Sequence, residues 1–275
     1  MNALEHVAAL VAAVAAGGVN ALAGGGTLIS FPVLVALGVP PVSANITNTV
    51  ALSPGYLGGA LAQKQSIVEQ KDRVRRLGFA AAAGGLTGSI LLTQTSNDAF
   101  RTLIPILLFA AAGLLATQDR IRKLLRIGMV PSPAPIEGEA RPEGEALSEG
   151  EARPAVDSKW LAAPVFAVSI YGGYFGAGLG IMLLAVLGIA LHDRLDRLNA
   201  LKQVMSLIIN STATVFFLTS GKVYWSVAAV MAVGSLLGGS VGGRFAGKVD
   251  PARLRLIVVS IGFAVGVVYA IRTWW

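Results

Sequence analysis

The sequence predicts an all-α polytopic membrane protein of two inverted-topology repeats, each a broken re-entrant helical hairpin followed by three transmembrane helices. Three observations predict it: the balance of apolar and charged residues, a self-similarity at one fixed shift, and the placement of lysine and arginine. The 275 residues are 54% hydrophobic and 13% charged, with a mean hydropathy of +0.68. A soluble chain carries about 25% charged residues, and the apolar runs here come close to the roughly 20 residues that cross a bilayer. The net charge of +7 then belongs to cytoplasmic loops, and nucleic-acid binding is set aside. A chain with no cysteine has no disulfide, thiolate metal site or cysteine nucleophile. The opening residues "MNALE" lack a basic region, so the first apolar run is not expected to be a signal peptide.

The apolar stretches cover 3–37, 44–63, 77–95, 100–118, 160–191, 198–219, 224–243 and 254–272. The first and fifth are interrupted by glycines. A shift of 154 positions carries Gly18 onto Gly172, Gly24 onto Gly178, Gly26 onto Gly180, Asn45 onto Asn199 and Arg101 onto Arg255. Glycine matches alone mean little in so biased a composition; a constant shift that also captures Asn45 and Arg101 identifies a duplication. Internal duplication is a common construction in secondary transporters. The repeats are placed at 1–130 and 159–275. Between them, 131–158 is rich in Pro, Gly and Glu and poor in large apolar side chains. Such a stretch does not bury enough surface to offset its ordering entropy. It reads as a flexible cytoplasmic linker, either a mere connector or a docking tail.

Orientation follows from the positive-inside rule. Were each broken segment one crossing, Lys64, Lys71, Arg73, Arg75 and Arg76 would lie opposite Arg194, Arg197, Arg244, Lys248, Arg253 and Arg255. If each instead enters and leaves on one face, the loops 64–76, 119–130, 192–197 and 244–253 all become cytoplasmic. Only Arg101, Lys222 and Arg272 remain outside. Each half then makes an odd number of crossings, and the two copies point in opposite directions. The expectation is six full crossings plus two re-entrant hairpins.

The interruptions mark the candidate site. Glycine costs about 1 kcal/mol relative to alanine in a helix interior, so Gly24, Gly25 and Gly26 in succession form a bend rather than helix. Irregular backbone at membrane depth is tolerated only beside protein or a watery cavity. A second short helix beginning near Gly26 and Thr27 directs its free N–H groups and positive dipole end toward the protein centre. Gly178 and Gly180 do the same from the other face. The alternative is that these glycines allow close helix packing.

In the following helices Asn45, Asn48, Thr49 and Ser53 share one face, and so do Asn199, Lys202, Gln203, Ser206 and Asn210. Polar side chains are costly in lipid and turn inward, toward a partner helix or a water-filled path. Lys202 either reaches back to the interface or pairs with a bound anion. The sequons at Asn45 and Asn210 fall inside helices and are chance matches.

The stretch "GGVNALAGGGTLISFPVLVALGVPPVSANITNTVALSPGYLGG" resembles the first-repeat signature of the TauE/SafE family of sulfite exporters and related anion permeases. "GGYFGAGLGIMLLAVLGI" and "LNALKQVMSLIINSTATVFF" resemble its second repeat, and the likeness spans the chain outside the linker. It implies a bacterial inner-membrane carrier for sulfite or other organosulfur anions. Many members carry a Thr-Ser pair in the second helix of each repeat, where this chain has Asn48-Thr49 and Lys202-Gln203.

Three functions are weighed: an exporter working by alternating access, an anion channel along the same residues or a carrier of a non-sulfur carboxylate, and an embedded enzyme or assembly factor. His6 and His192 lie near segment ends with no carboxylate pair or metal-spaced cluster beside them, which disfavours the enzyme. His192 reads as a solvated loop residue. No cofactor is expected, the partners are a small anion and lipid, and the chain is read as monomer or homodimer.

Overall fold

A computed structural model describes residues 2–22, 25–126, 158–191, 193–245 and 251–275. All regular structure among them is α-helix. The first half contains α1 (Ala3–Leu22), α2 (Thr27–Ala36), α3 (Pro41–Ala62), the short α4 (Lys64–Val68), α5 (Lys71–Gln94) and α6 (Asn97–Arg126). The second contains α7 (Ser158–Tyr174), α8 (Leu179–Ala190), α9 (Leu195–Leu218), α10 (Trp225–Phe245) and α11 (Pro251–Trp274). The shift of 154 recurs in these bounds. It carries Pro41 at the start of α3 onto Leu195 at the start of α9, Lys71 onto Trp225, and Asn97 onto Pro251.

The packing exchanges partners between the halves. α1 lies against α10, and its counterpart α7 lies against α5; α3 packs on α9, and α6 on α11. The first two seams are glycine-lined. A Cβ added at Gly84 would strike the Phe166 carbonyl and Ser169, and one at Gly238 would strike the Val14 carbonyl. Small residues let backbones approach closely in lipid, where apolar burial no longer drives helices together.

Contacts at the helix ends fix the directions. At one end Gln70 Nε2 donates to Arg197 O at 3.0 Å, Arg73 pairs with Asp193 at 2.5 Å and Arg255 with Asp119 at 2.5 Å. At the other, Val42 N donates to Asn97 Oδ1 at 3.2 Å, Tyr224 N to Thr47 Oγ1 at 3.1 Å and Lys222 Nζ to Thr93 O at 2.7 Å. Between these ends α3 and α9 run in opposite directions, as do α5 and α10. Lys64, Lys71, Arg75, Arg76, Arg194 and Arg253 stand at or beside the first end, which is the basic one.

Large apolar side chains cover the outer surface: Phe79 is 81% exposed, Trp160 78% and Ile189 71%, as a lipid-facing perimeter requires. Among the described residues five helices are long and apolar enough to cross a membrane: α1, α5, α6, α9 and α11. This set differs from the expected six crossings, because α1 enters it while α3 and α10 do not. α3 has 22 residues but carries Asn45, Thr47, Asn48, Thr49 and Ser53, and the apolar run described in α10, Trp225–Ser240, falls in the shorter class. The expected loop 64–76 is largely helical, as α4 and the start of α5, and α6 runs through much of 119–130 to Arg126. Lys, Arg and Gln are good helix formers, so basic loops of this kind continue the helices they join. Apart from Ser158, where α7 begins, the linker 131–158 lies outside the described residues, as do Gly24, His192 and Lys248.

Candidate functional site

Each broken segment is two helices around a glycine turn. α2 begins at Thr27 after Gly26, and α8 at Leu179 after Gly178. Gly25 and Gly178 hold φ of +93° and +77°, the left-handed region that glycine enters without steric cost. Both turns rest on the same stretch of α6. A Cβ at Gly25 would stand 3.1 Å from Leu115, and one at Gly178 3.6 Å from Leu114 and 3.8 Å from Ala111. Two short-helix N-termini, one from each half of the chain, thus lie beside the same stretch of α6.

The turns are tied differently. Gly26 N donates to Asn20 Oδ1 at 2.9 Å, and a Cβ at Gly26 would strike the Ala16 carbonyl. The first hairpin therefore spends one amide on its own side chain, and Gly26 is required for the α1–α2 approach. In the second, Tyr171 Oη donates to Ala177 O at 2.6 Å, while Phe175 N and Gly176 N both donate to Tyr171 O. Thr27 is buried at the start of α2, and Phe31, Phe100 and Phe175 meet edge to face beneath it.

The two polar faces reach the second of these turns. On α3, Asn45 and Asn48 are each 1% exposed. Asn45 Nδ2 donates to Tyr174 O, the last residue of α7, at 2.7 Å. This fixes the amide's orientation, since the opposite one would set oxygen against oxygen. Asn45 Oδ1 and Asn48 Oδ1 are buried with no hydrogen-bond partner. Thr49 Oγ1 donates to Asn45 O at 3.0 Å, while Ser53 Oγ lies 2.8 Å from Thr49 O and 2.6 Å from Thr214 Oγ1 on α9.

On α9, Lys202 is half-buried; its Nζ donates to Asn199 Oδ1 at 3.4 Å, one turn nearer the basic end. Its stem lies over Gly180, whose added Cβ would stand 3.7 Å from Lys202 Cδ. The structure therefore brings Lys202 to the N-terminal turn of α8 and Asn45 to the end of α7. It does not gather the whole predicted set. Asn210 Nδ2 donates to Ser206 O at 2.9 Å and its side chain lies beside Tyr56, its own counterpart under the shift of 154. Gln203 is half-buried with no described bond to the turns.

Sequence reasoning missed Asn20, Tyr171 and Tyr174. Their signal is position: Asn20 stands six residues before Gly26, and the two tyrosines flank the Gly172-Gly173 pair. At the basic end Asp193 receives Arg73, the Arg194 N–H and the charge of Arg197. Burial works against its carboxylate, but these three hold it below the ordinary carboxylate range. Among the described residues no group of three His, Cys, Asp or Glu forms a metal site.

The sequence model of the family described as "Sulfite exporter TauE/SafE" matches residues 9–269. A "Probable membrane transporter protein ORF9" of Sinorhizobium sp is 28% identical over 263 residues, covering 93% of this chain and 89% of that protein. A "Probable membrane transporter protein" of Haemophilus influenzae is 26% identical over 258 residues, covering 89% and 86%. The "Probable membrane transporter protein YfcA" of Escherichia coli is 23% identical over 256 residues, covering 90% and 83%. No solved structure matches the chain.

Proposed function

Because the chain belongs to the TauE/SafE sulfite exporter family, we propose that this multi-pass membrane transporter exports a small sulfur oxyanion, sulfite or an organosulfonate, across the bacterial inner membrane. The observation that carries this reading is the meeting of the Gly25 and Gly178 turns on Ala111–Leu115 of α6. N-terminal helix ends carry partial positive charge and free donors, which suit an anion without any protein carboxylate. Lys202 supplies a full charge beside one of them, and Asn199 holds that ammonium.

Support for an inverted pair of repeats comes from counterparts that meet each other. Tyr56 lies beside Asn210, and the rings of Phe109 and Phe263 lie 5.0 Å apart. These pairs support a two-fold exchange of the halves, across antiparallel α3 and α9. Rocking one repeat against the other about the α6 midpoint would expose the turns alternately to the two sides. A membrane potential negative inside favours the exit of an anion by about 2.3 kcal/mol per charge per 100 mV. The test is sulfite flux in proteoliposomes of the full chain. Saturable efflux with counterflow supports the carrier. Single-channel currents would assign a channel, and counterflow of acetate but not of sulfite, thiosulfate or sulfoacetate would assign a carboxylate carrier.

A further inference from the structure

The polar face of α3 holds two buried oxygens that no donor reaches. Asn45 has committed its donor to Tyr174 O, so the atom left over, Oδ1, is an acceptor, and Asn48 Oδ1 one turn on is a second. Thr49 has given its proton to Asn45 O and presents only lone pairs. Asn45 Oδ1, Asn48 Oδ1 and the Thr49 lone pairs thus put acceptors on one face of α3. Buried acceptors without partners are rare and costly, and one recognised explanation is a bound ion. The neighbouring backbone agrees in sign, because Tyr174 ends α7, and a helix C-terminus carries partial negative charge and carbonyls without helical partners.

We propose that Asn45 and Asn48, with the C-terminal end of α7, bind a monovalent alkali cation that travels with the anion. Hard cations take oxygen ligands, and ends of broken helices and unwound carbonyls hold sodium in other transporter folds. The duplication gives the arrangement its logic: the shift of 154 carries Asn48 onto Lys202. One repeat brings a fixed ammonium to the centre, and the other brings oxygens that hold a mobile cation at the equivalent place. Every described Asp and Glu lies near a helix end rather than midway along a span, so the charge of the cation is balanced by the bound anion. The anion then moves with its charge compensated, and the pull of the membrane potential falls accordingly. The identity of the anion rests on the carrier reading; the cation site itself does not.

The experiment is the thermal midpoint of the full-length protein in detergent, in sodium, potassium, lithium or N-methylglucamine chloride at equal ionic strength, with and without sulfite. An alkali cation raises the midpoint saturably over N-methylglucamine. In Asn48→Ala the half-effective cation concentration rises at least about tenfold, the loss of one bond to a charged partner. Asn48→Asp lowers that concentration, and serves as the readout should the alanine variant fail to fold. Equal midpoints in all four salts, with and without sulfite, would assign the two oxygens to water and overturn the site. A sulfite effect with no cation effect also removes this inference, and leaves the carrier reading standing. A cation effect with no sulfite effect supports the site and counts against sulfite.

Discussion

The stem of Lys202 on α9 crosses Gly180 at the start of α8, where an added methyl group would stand 3.7 Å from Lys202 Cδ. That distance is ordinary van der Waals contact, so the glycine marks the track of the lysine rather than a backbone constraint. Gly180→Ala should leave anion affinity within about threefold of the parent, since volume changes of one methyl are tolerated where contact is not yet made. Gly180→Leu should push the stem aside and weaken anion binding as much as Lys202→Ala does, about 1.5–3 kcal/mol. Titration of sulfite against each purified variant checks this; unchanged affinity in both Gly180→Leu and Lys202→Ala would take the ammonium out of the site.

Asp193 joins the second hairpin to the start of α5 through Arg73. Its carboxyl is held below the ordinary value in the folded protein. Its contribution to stability is therefore complete above the unfolded-state pKa of about 3.9, and is lost as pH falls through the folded value. Asp193→Asn should lower stability by about 1–3 kcal/mol at neutral pH. It should also narrow the difference between neutral and acid midpoints. Thermal midpoints of parent and variant across that range decide it.

The glycine seams make a paired expectation, because Gly84 and Gly238 are related by the shift of 154 and each faces a carbonyl of the partner helix. Gly84→Leu and Gly238→Leu should each destabilise by about 1–3 kcal/mol or abolish folding, since overpacking here must move backbone. Gly113, which has open space around it, should accept alanine without loss. The measurement is monodisperse yield after solubilisation. Normal yield from both leucine variants would contradict the seams.

A chain without cysteine allows single-cysteine labelling. Gln65, exposed in α4 at the basic end, should label as cysteine from the cytoplasmic face only. Ser96, exposed between α5 and α6 at the opposite end, should label from outside only. Reaction of both from one side would refute the arrangement of the two ends.

The fold was legible wherever composition and symmetry act over long stretches. Gly24–Gly26 announced the break in the first apolar run, and α2 begins at Thr27, one residue beyond it. The register between Asn45 and Asn199 reappears as the register between α3 and α9. The short basic helix α4 was not legible, because "KQSIV" has neither an apolar face nor a cap to distinguish it from a loop. Of the candidate site, the residue types were readable and their partners were not. Asn45 looks like any inward amide until Tyr174, 129 positions away, fixes which of its atoms is spare. Gly26 looked like a ligand contact, and its nearest constraint is the Ala16 carbonyl of its own hairpin. Contacts between distant segments carry no local periodicity, so a single sequence leaves them unwritten.

The exchange of partners between the halves governs how the protein is made. α1 ends at Leu22, yet the helix it packs against begins only at Trp225. During synthesis the first hairpin emerges and must wait, with its glycine seam uncovered, until nearly the whole chain has left the ribosome. α5 meets α7 much sooner, so the central pair assembles first and the outer pair closes the structure last. Neither half is complete by itself, and a chain cut short before α10 would leave a greasy, notched helix without its mate, the form that membrane quality control is equipped to degrade.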